Sequence, residues 1–196
     1  MLAPAAGDAW WRFDGRVPST WSWQPFTTPV HRFDPVSGLF RVRYAAASLR
    51  GAVLERFAYG AGAAVTEADA DLVLVRLAGR PDVVDLADEA TRRALDVDER
   101  ISVGRSSTPR SVAPDAALDR CGRVADRVHE SWGIPSTGIQ YRSRHNADLR
   151  NLAFGRDTLV ADQPTPATGR LADDKQAITA LLAEGITVPE AWLDAM

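Results

Sequence analysis

The chain has 196 residues, 45% hydrophobic and 25% charged, the balance of an ordinary globular domain with length for a real core. A net charge of -3 does not suggest nonspecific nucleic-acid binding or attraction to an anionic membrane. The single cysteine, Cys121, excludes an internal disulfide and a cysteine-built metal site, and three scattered histidines, His31, His129 and His145, show no metal-ligand spacing.

Residues 1–9 read as a flexible tail. They lack the charged start and apolar core of a secretory signal, and no apolar run nears the ~20 residues of a membrane span, so a cytoplasmic protein is expected. Residues 10–30 are rich in tryptophan and proline and allow one short strand at 10–13. Residues 39–46 (LFRVRYAA) alternate apolar and polar, which predicts a half-buried strand. Ser48 suits an N-cap, and Leu49, Ala52, Val53 and Phe57 then form one face of a helix. Strand 71–77, helix 88–95 with acids at its start, and helix 114–131 beginning at Pro114 follow. Residues 138–143 (GIQYRS) and 151–155 (NLAFG) read as strands, and 157–161 as an extension of the sheet. Residues 163–170 form a loop and 173–184 a last helix. Short strands with interspersed helices predict a single α+β domain over 10–162, with 163–196 as a C-terminal loop and helix packed on the domain or on a partner.

Four positions invite chemistry. Arg32 lies in the turn VHRFDP, where Asp34 suits a turn cap; it reads as a surface arginine paired with Asp34 or as an anion ligand. Arg41 and Arg43 lie between it and Tyr44. Tyr44 falls on the face of Phe40 and Val42, with its hydroxyl at the strand end. Glu55 sits at the edge of an apolar helix face, and a partly buried carboxylate needs a partner or a task. Ser143 emerges at a strand end, either as a functional side chain or as a turn serine. With His145 it makes no hydrolase signature, because no G-x-S-x-G elbow is present. Phosphate-binding glycine motifs are also missing.

The order of these features, WWRF, HRFD, VRYAA, AVLE, GIQYRS and NLAF, resembles the RES-domain family, toxins of bacterial toxin–antitoxin pairs, over roughly residues 10 to 160. His31 replaces the usual glycine before the arginine, and Phe13 stands where some members have tyrosine. The resemblance implies an ADP-ribosyltransferase-like fold, a split mixed β-sheet with flanking helices around an NAD-binding cleft. It implies cleavage of the nicotinamide–ribose bond of NAD by phosphorolysis or hydrolysis. NAD is then a substrate, inorganic phosphate a candidate co-substrate, and no resident cofactor or metal is expected. By the same resemblance, Glu55, Arg32 and Ser143 are catalytic, and Arg12, Phe13, Tyr44 and Asn151 bind substrate. An Xre-type antitoxin is the implied partner, and a homodimer is compatible with it. Two other readings stay open: ADP-ribosyl transfer to a protein, and an inactive domain that binds a nucleotide or only its antitoxin.

Overall fold

The computed structural model describes residues 1–58, 62–98, 101, 116–134, 136–161 and 169–194. Eight strands form one mixed sheet: β1 (Leu2–Pro4), β2 (Ala9–Asp14), β3 (Arg43–Ala46), β4 (Val73–Ala78), β5 (Asp82–Asp85), β6 (Gly138–Arg142), β7 (Arg150–Phe154) and β8 (Val160–Ala161). Their spatial order is β1-β5-β6-β7-β3-β2-β4-β8. All neighbours are antiparallel except β5 and β6. That parallel pair needs a crossover, which carries the helices α2 (Glu89–Ala94) and α3 (Ala116–Trp132). Helix α1 (Leu49–Phe57) follows β3, and α4 (Lys175–Ala183) and α5 (Glu190–Leu193) close the chain. This is a single α+β domain, as the sequence predicts.

The sheet is split. Strands β3 and β7 pair over four positions, and β2 and β4 over six, but β2 and β3 meet only at Trp11↔Ala46. Beyond that point the two halves have no shared ladder, which agrees with the split sheet implied by the resemblance.

Three apolar clusters hold the layers together. Helix α1 buries Ala52, Val53 and Phe57 against Phe13, with Ile178, Leu181 and Trp192 beyond them. Helix α3 buries Val124, Ala125 and Val128 against Phe33, Ile139 and Tyr141. On the opposite sheet face, Trp10, Val75, Leu152 and Phe154 lie under Trp21 and Trp23. Each fully buried large side chain contributes about 1.5–3 kcal/mol. The C-terminal helices therefore pack on this domain, and the indole N–H of Trp192 donates to Glu67 at 3.4 Å.

Several expectations need correction. Residues 2–4 are a strand on β5, not a loose tail; Ala5 is fully buried and the Ala6 N–H donates to Gln140 at 2.7 Å. The strand expected over 39–46 is confined to 43–46, because residues 39–42 alternate for packing and join no ladder: Phe40 and Val42 enter the core without it. Strand β5 and helix α5 were not expected at all. Pro114, expected at the start of α3, lies outside the described residues. No described helix is long and apolar enough to cross a membrane.

Candidate active site

Helix α1 places the central carboxylate. Ser48 has extended backbone angles and its side chain accepts from the Gly51 N–H at 3.1 Å, a standard N-cap that fixes where the helix starts. Gly51 lets the helix settle on β3: a Cβ there would lie 2.9 Å from that of Ala46. One turn further, Glu55 is half-buried at the edge of the apolar face.

Glu55 Oε1 accepts two hydrogen bonds, from the Ser143 hydroxyl at 2.6 Å and from Asn151 Nδ2 at 2.8 Å. Both donors come from neighbouring strands. Asn151 on β7 pairs with Ala46 on one side and with Tyr141 of β6 on the other, so these three side chains share a sheet face. Ser143 follows two residues after Tyr141, and its N–H donates to the Leu149 carbonyl at 3.0 Å. Its hydroxyl oxygen also accepts from the His145 N–H at 3.1 Å. The one serine proton is thus committed to Glu55. Through this bond Ser143 orients the Glu55 carboxylate. A hydrogen bond to a charged acceptor contributes about 1.5–3 kcal/mol, so two on one oxygen define its position well.

Arg32 and Tyr44 stand on the same side. The Tyr44 hydroxyl accepts from the Phe33 N–H at 2.8 Å, tying the Arg32 turn to β3. Asp34 is buried, and its Oδ2 accepts from the Val30 and His31 N–H groups at 2.8 and 2.6 Å. Asp34 is the turn cap the sequence predicts. It is not the partner of Arg32, whose guanidinium donates to the Ile101 carbonyl and lies 5.0 Å from the Tyr141 ring centroid and 5.4 Å from that of Phe33. The charges of Glu55 and Arg32 both act on Tyr141, whose hydroxyl is held protonated chiefly by burial. Tyr44 is likewise pushed well above the ordinary tyrosine value by burial, so both rings stay neutral phenols.

His145 adds a neutral ring beside the carboxylate. Its proton affinity is lowered, first by burial, while Glu55 raises it and Arg144 lowers it further. Arg144 Nε donates to His145 Nε2 at 3.1 Å, an arrangement that needs an unprotonated nitrogen there.

Arg12 and Phe13 are placed differently from the rest. Successive strand residues face opposite ways, so the pair cannot share one cleft wall. Phe13 turns into the core, 6% exposed, with its ring 5.1 Å from that of Phe57 in an edge contact. Arg12 turns the other way, into the gap between β2 and β3. There it donates to the Tyr44 carbonyl at 2.8 Å and pairs with Asp14 at 2.6 Å. Arg43 pairs with the same Asp14 oxygen at 3.2 Å. The structure therefore gathers Glu55, Ser143, Asn151, Arg32 and Tyr44, and leaves Arg12 and Phe13 outside that group.

Sequence reasoning missed Tyr141 and Asp14, and noted Arg43 without its partner. Tyr141 was open to it, since Tyr141 and Ser143 are two apart on a strand and share a side. The pairing of Asp14 with Arg43 was not, because strands splayed apart leave no periodic signal. Among the described residues, no cluster of three or more His, Cys, Asp or Glu side chains could hold a metal ion.

A split mixed sheet with one carboxylate oriented by a serine and an asparagine, and an arginine across a tyrosine from it, defines a class of small α+β domains. The model of one family, the RES domain, matches residues 9–174, and the chain belongs to that family. No curated protein and no solved structure matches it.

Proposed function

We propose that this domain cleaves the nicotinamide–ribose bond of NAD and serves as the toxin of a bacterial toxin–antitoxin pair, with an Xre-type antitoxin as partner. The observation that carries the proposal is the Glu55 carboxylate, fixed by Ser143 and Asn151 on the face that also bears Arg32 and Tyr44. Cleavage leaves positive charge on the ribose as the C–N bond breaks and the bonding pair departs with nicotinamide. The ring leaves neutral, so no strong general acid is required. A fixed carboxylate stabilises the oxocarbenium character, and Glu55 takes that role. Arg32 holds a phosphate oxygen of the substrate or an incoming phosphate, and Tyr44 and Tyr141 shape the ring pocket as neutral aromatics. Phosphate or water then bonds to the ribose carbon; with water, one proton is released.

The test is NAD consumption by purified protein, with and without inorganic phosphate, with products identified by mass. Phosphate-dependent loss giving ADP-ribose phosphate supports phosphorolysis. Phosphate-independent loss giving ADP-ribose makes water the nucleophile. No loss in either, from folded protein freed of any partner, refutes NAD degradation and turns attention to a protein acceptor or a silent binding domain.

A further inference from the structure

The gap between β2 and β3 holds a second group of charges, on the tryptophan-covered side of the sheet. Arg43 is 9% exposed, with its guanidinium 4.5 Å from the Trp21 ring centroid and 5.4 Å from that of Trp23. Arg12 lies 5.2 Å from the Trp21 centroid. Arg41 is half-buried, 4.1 Å from the Phe26 centroid. In all three, the buried Nε–H has no hydrogen-bond partner.

The charges acting most strongly on Arg43 are those of Arg12, Asp14, Arg41 and Arg16. Three of those four are cations. Counting Arg12, Arg41 and Arg43 against the one carboxylate of Asp14 leaves two positive charges in surplus. Burial, then repulsion from Arg12, lowers the Arg43 proton affinity to a pKa of about 10, and burial lowers that of Arg12. Desolvated like charges with unspent donors oppose folding, and an anionic ligand removes that penalty.

The three arginines differ in what they have left to give. Arg43 spends its terminal nitrogens on Asp14 and the Ser22 carbonyl, both at 3.2 Å. Arg12 spends its own on Asp14 and Tyr44. Arg41 makes one long contact, 3.5 Å to the Gln24 carbonyl, while the Phe26 ring fixes its plane. It is oriented but hardly bonded. An aromatic row connects it to the Glu55 side: Phe26 lies 5.8 Å from His31, and His31 lies 5.9 Å from Tyr44.

We infer that Arg41, backed by Arg12 and Arg43, is an oxyanion site in the sheet split that takes a doubly charged diphosphate, with Arg41 as its ligand-facing fork. A guanidinium held flat by a ring suits bidentate phosphate oxygens. Identifying the anion as the diphosphate of a dinucleotide rests on the function proposed above; the oxyanion site itself does not.

The experiment measures binding of inorganic pyrophosphate, orthophosphate and NAD by calorimetry to the full chain and to Arg41→Ala, with Arg41→Gln as a second variant and urea midpoints confirming that each folds. Pyrophosphate binding to the parent protein, weakened at least about tenfold in either variant and competed by NAD, is the expected result. Absence of pyrophosphate binding in the parent, or unchanged affinity in a folded variant, overturns the site. Orthophosphate that binds as tightly as pyrophosphate and is not displaced by NAD overturns the diphosphate assignment in favour of free phosphate. Loss of pyrophosphate binding in Arg41→Ala by a protein that consumes no NAD upholds the site while the proposed function fails.

Discussion

Glu55 and Asp14 are two carboxylates on opposite sides of the same split, and their surroundings differ in kind. Asp14 faces two arginines, and its charge is spent on holding them against one another. Glu55 accepts on Oε1 from a hydroxyl and a carboxamide, two neutral donors that orient that oxygen. A carboxylate of the first sort is architectural. Under the proposed function, one of the second sort is prepared for a cation that forms during the reaction. The contrast teaches that burial of a carboxylate says little by itself; the charge of its donors distinguishes a strut from a reagent.

The largest expected effect comes from Glu55→Gln, which keeps the shape and removes the charge. NAD cleavage should fall about 100- to 1,000-fold with an unchanged urea midpoint. A normal rate in a folded variant would make Glu55 a strut as well, and the contrast would vanish. Asp14→Asn should do the opposite, leaving two arginines without their counter-charge. We expect about 3 kcal/mol lost from folding stability in urea, and an unchanged midpoint would show Asp14 to be dispensable.

A smaller change follows from Ser143→Ala. If the serine only orients Glu55, kcat falls about tenfold while the KM for NAD stays level. A rise in KM alone would instead place the serine on the substrate. The smallest effect is a pH dependence at His145. Its proton affinity is lower in the folded chain than the ordinary 6.5, so the unfolded chain binds the proton more readily. This contribution is complete above the ordinary histidine value and is lost as pH falls below it. Urea midpoints followed from about pH 7.5 to about 5.5 should fall more steeply for the parent than for His145→Gln. Parallel curves would remove His145 from the comparison.

Much of the Glu55 side was legible because its signals are local. Ser48 announces the start of α1, the helical period marks Glu55 as a carboxylate on an apolar edge, and Asp34 before Pro35 announces a capped turn. The other side was not, because its signals are distant. Strands β1 and β5 have three and four residues, too short for a period to show. The split exists only as the missing ladder between β2 and β3, and no spacing along the chain encodes it. Phe13 and Arg12 come together from one family motif, and strand alternation sends these neighbours to opposite faces.

Gly51 gives the Glu55 side a mechanical tolerance. The helix rests on β3 with only the Ala46 methyl group against Gly51 at that point, so the glycine acts as the thinnest available shim. Glu55 stands one turn along the same helix, while the serine and asparagine that meet it are anchored in the sheet. A methyl group inserted at position 51 would tilt or lift the helix against a fixed bench, and a few tenths of an ångström of lift transfers to the carboxylate's reach. The alignment of a group drawn from three distant parts of the chain is thus set by the absence of a single methyl.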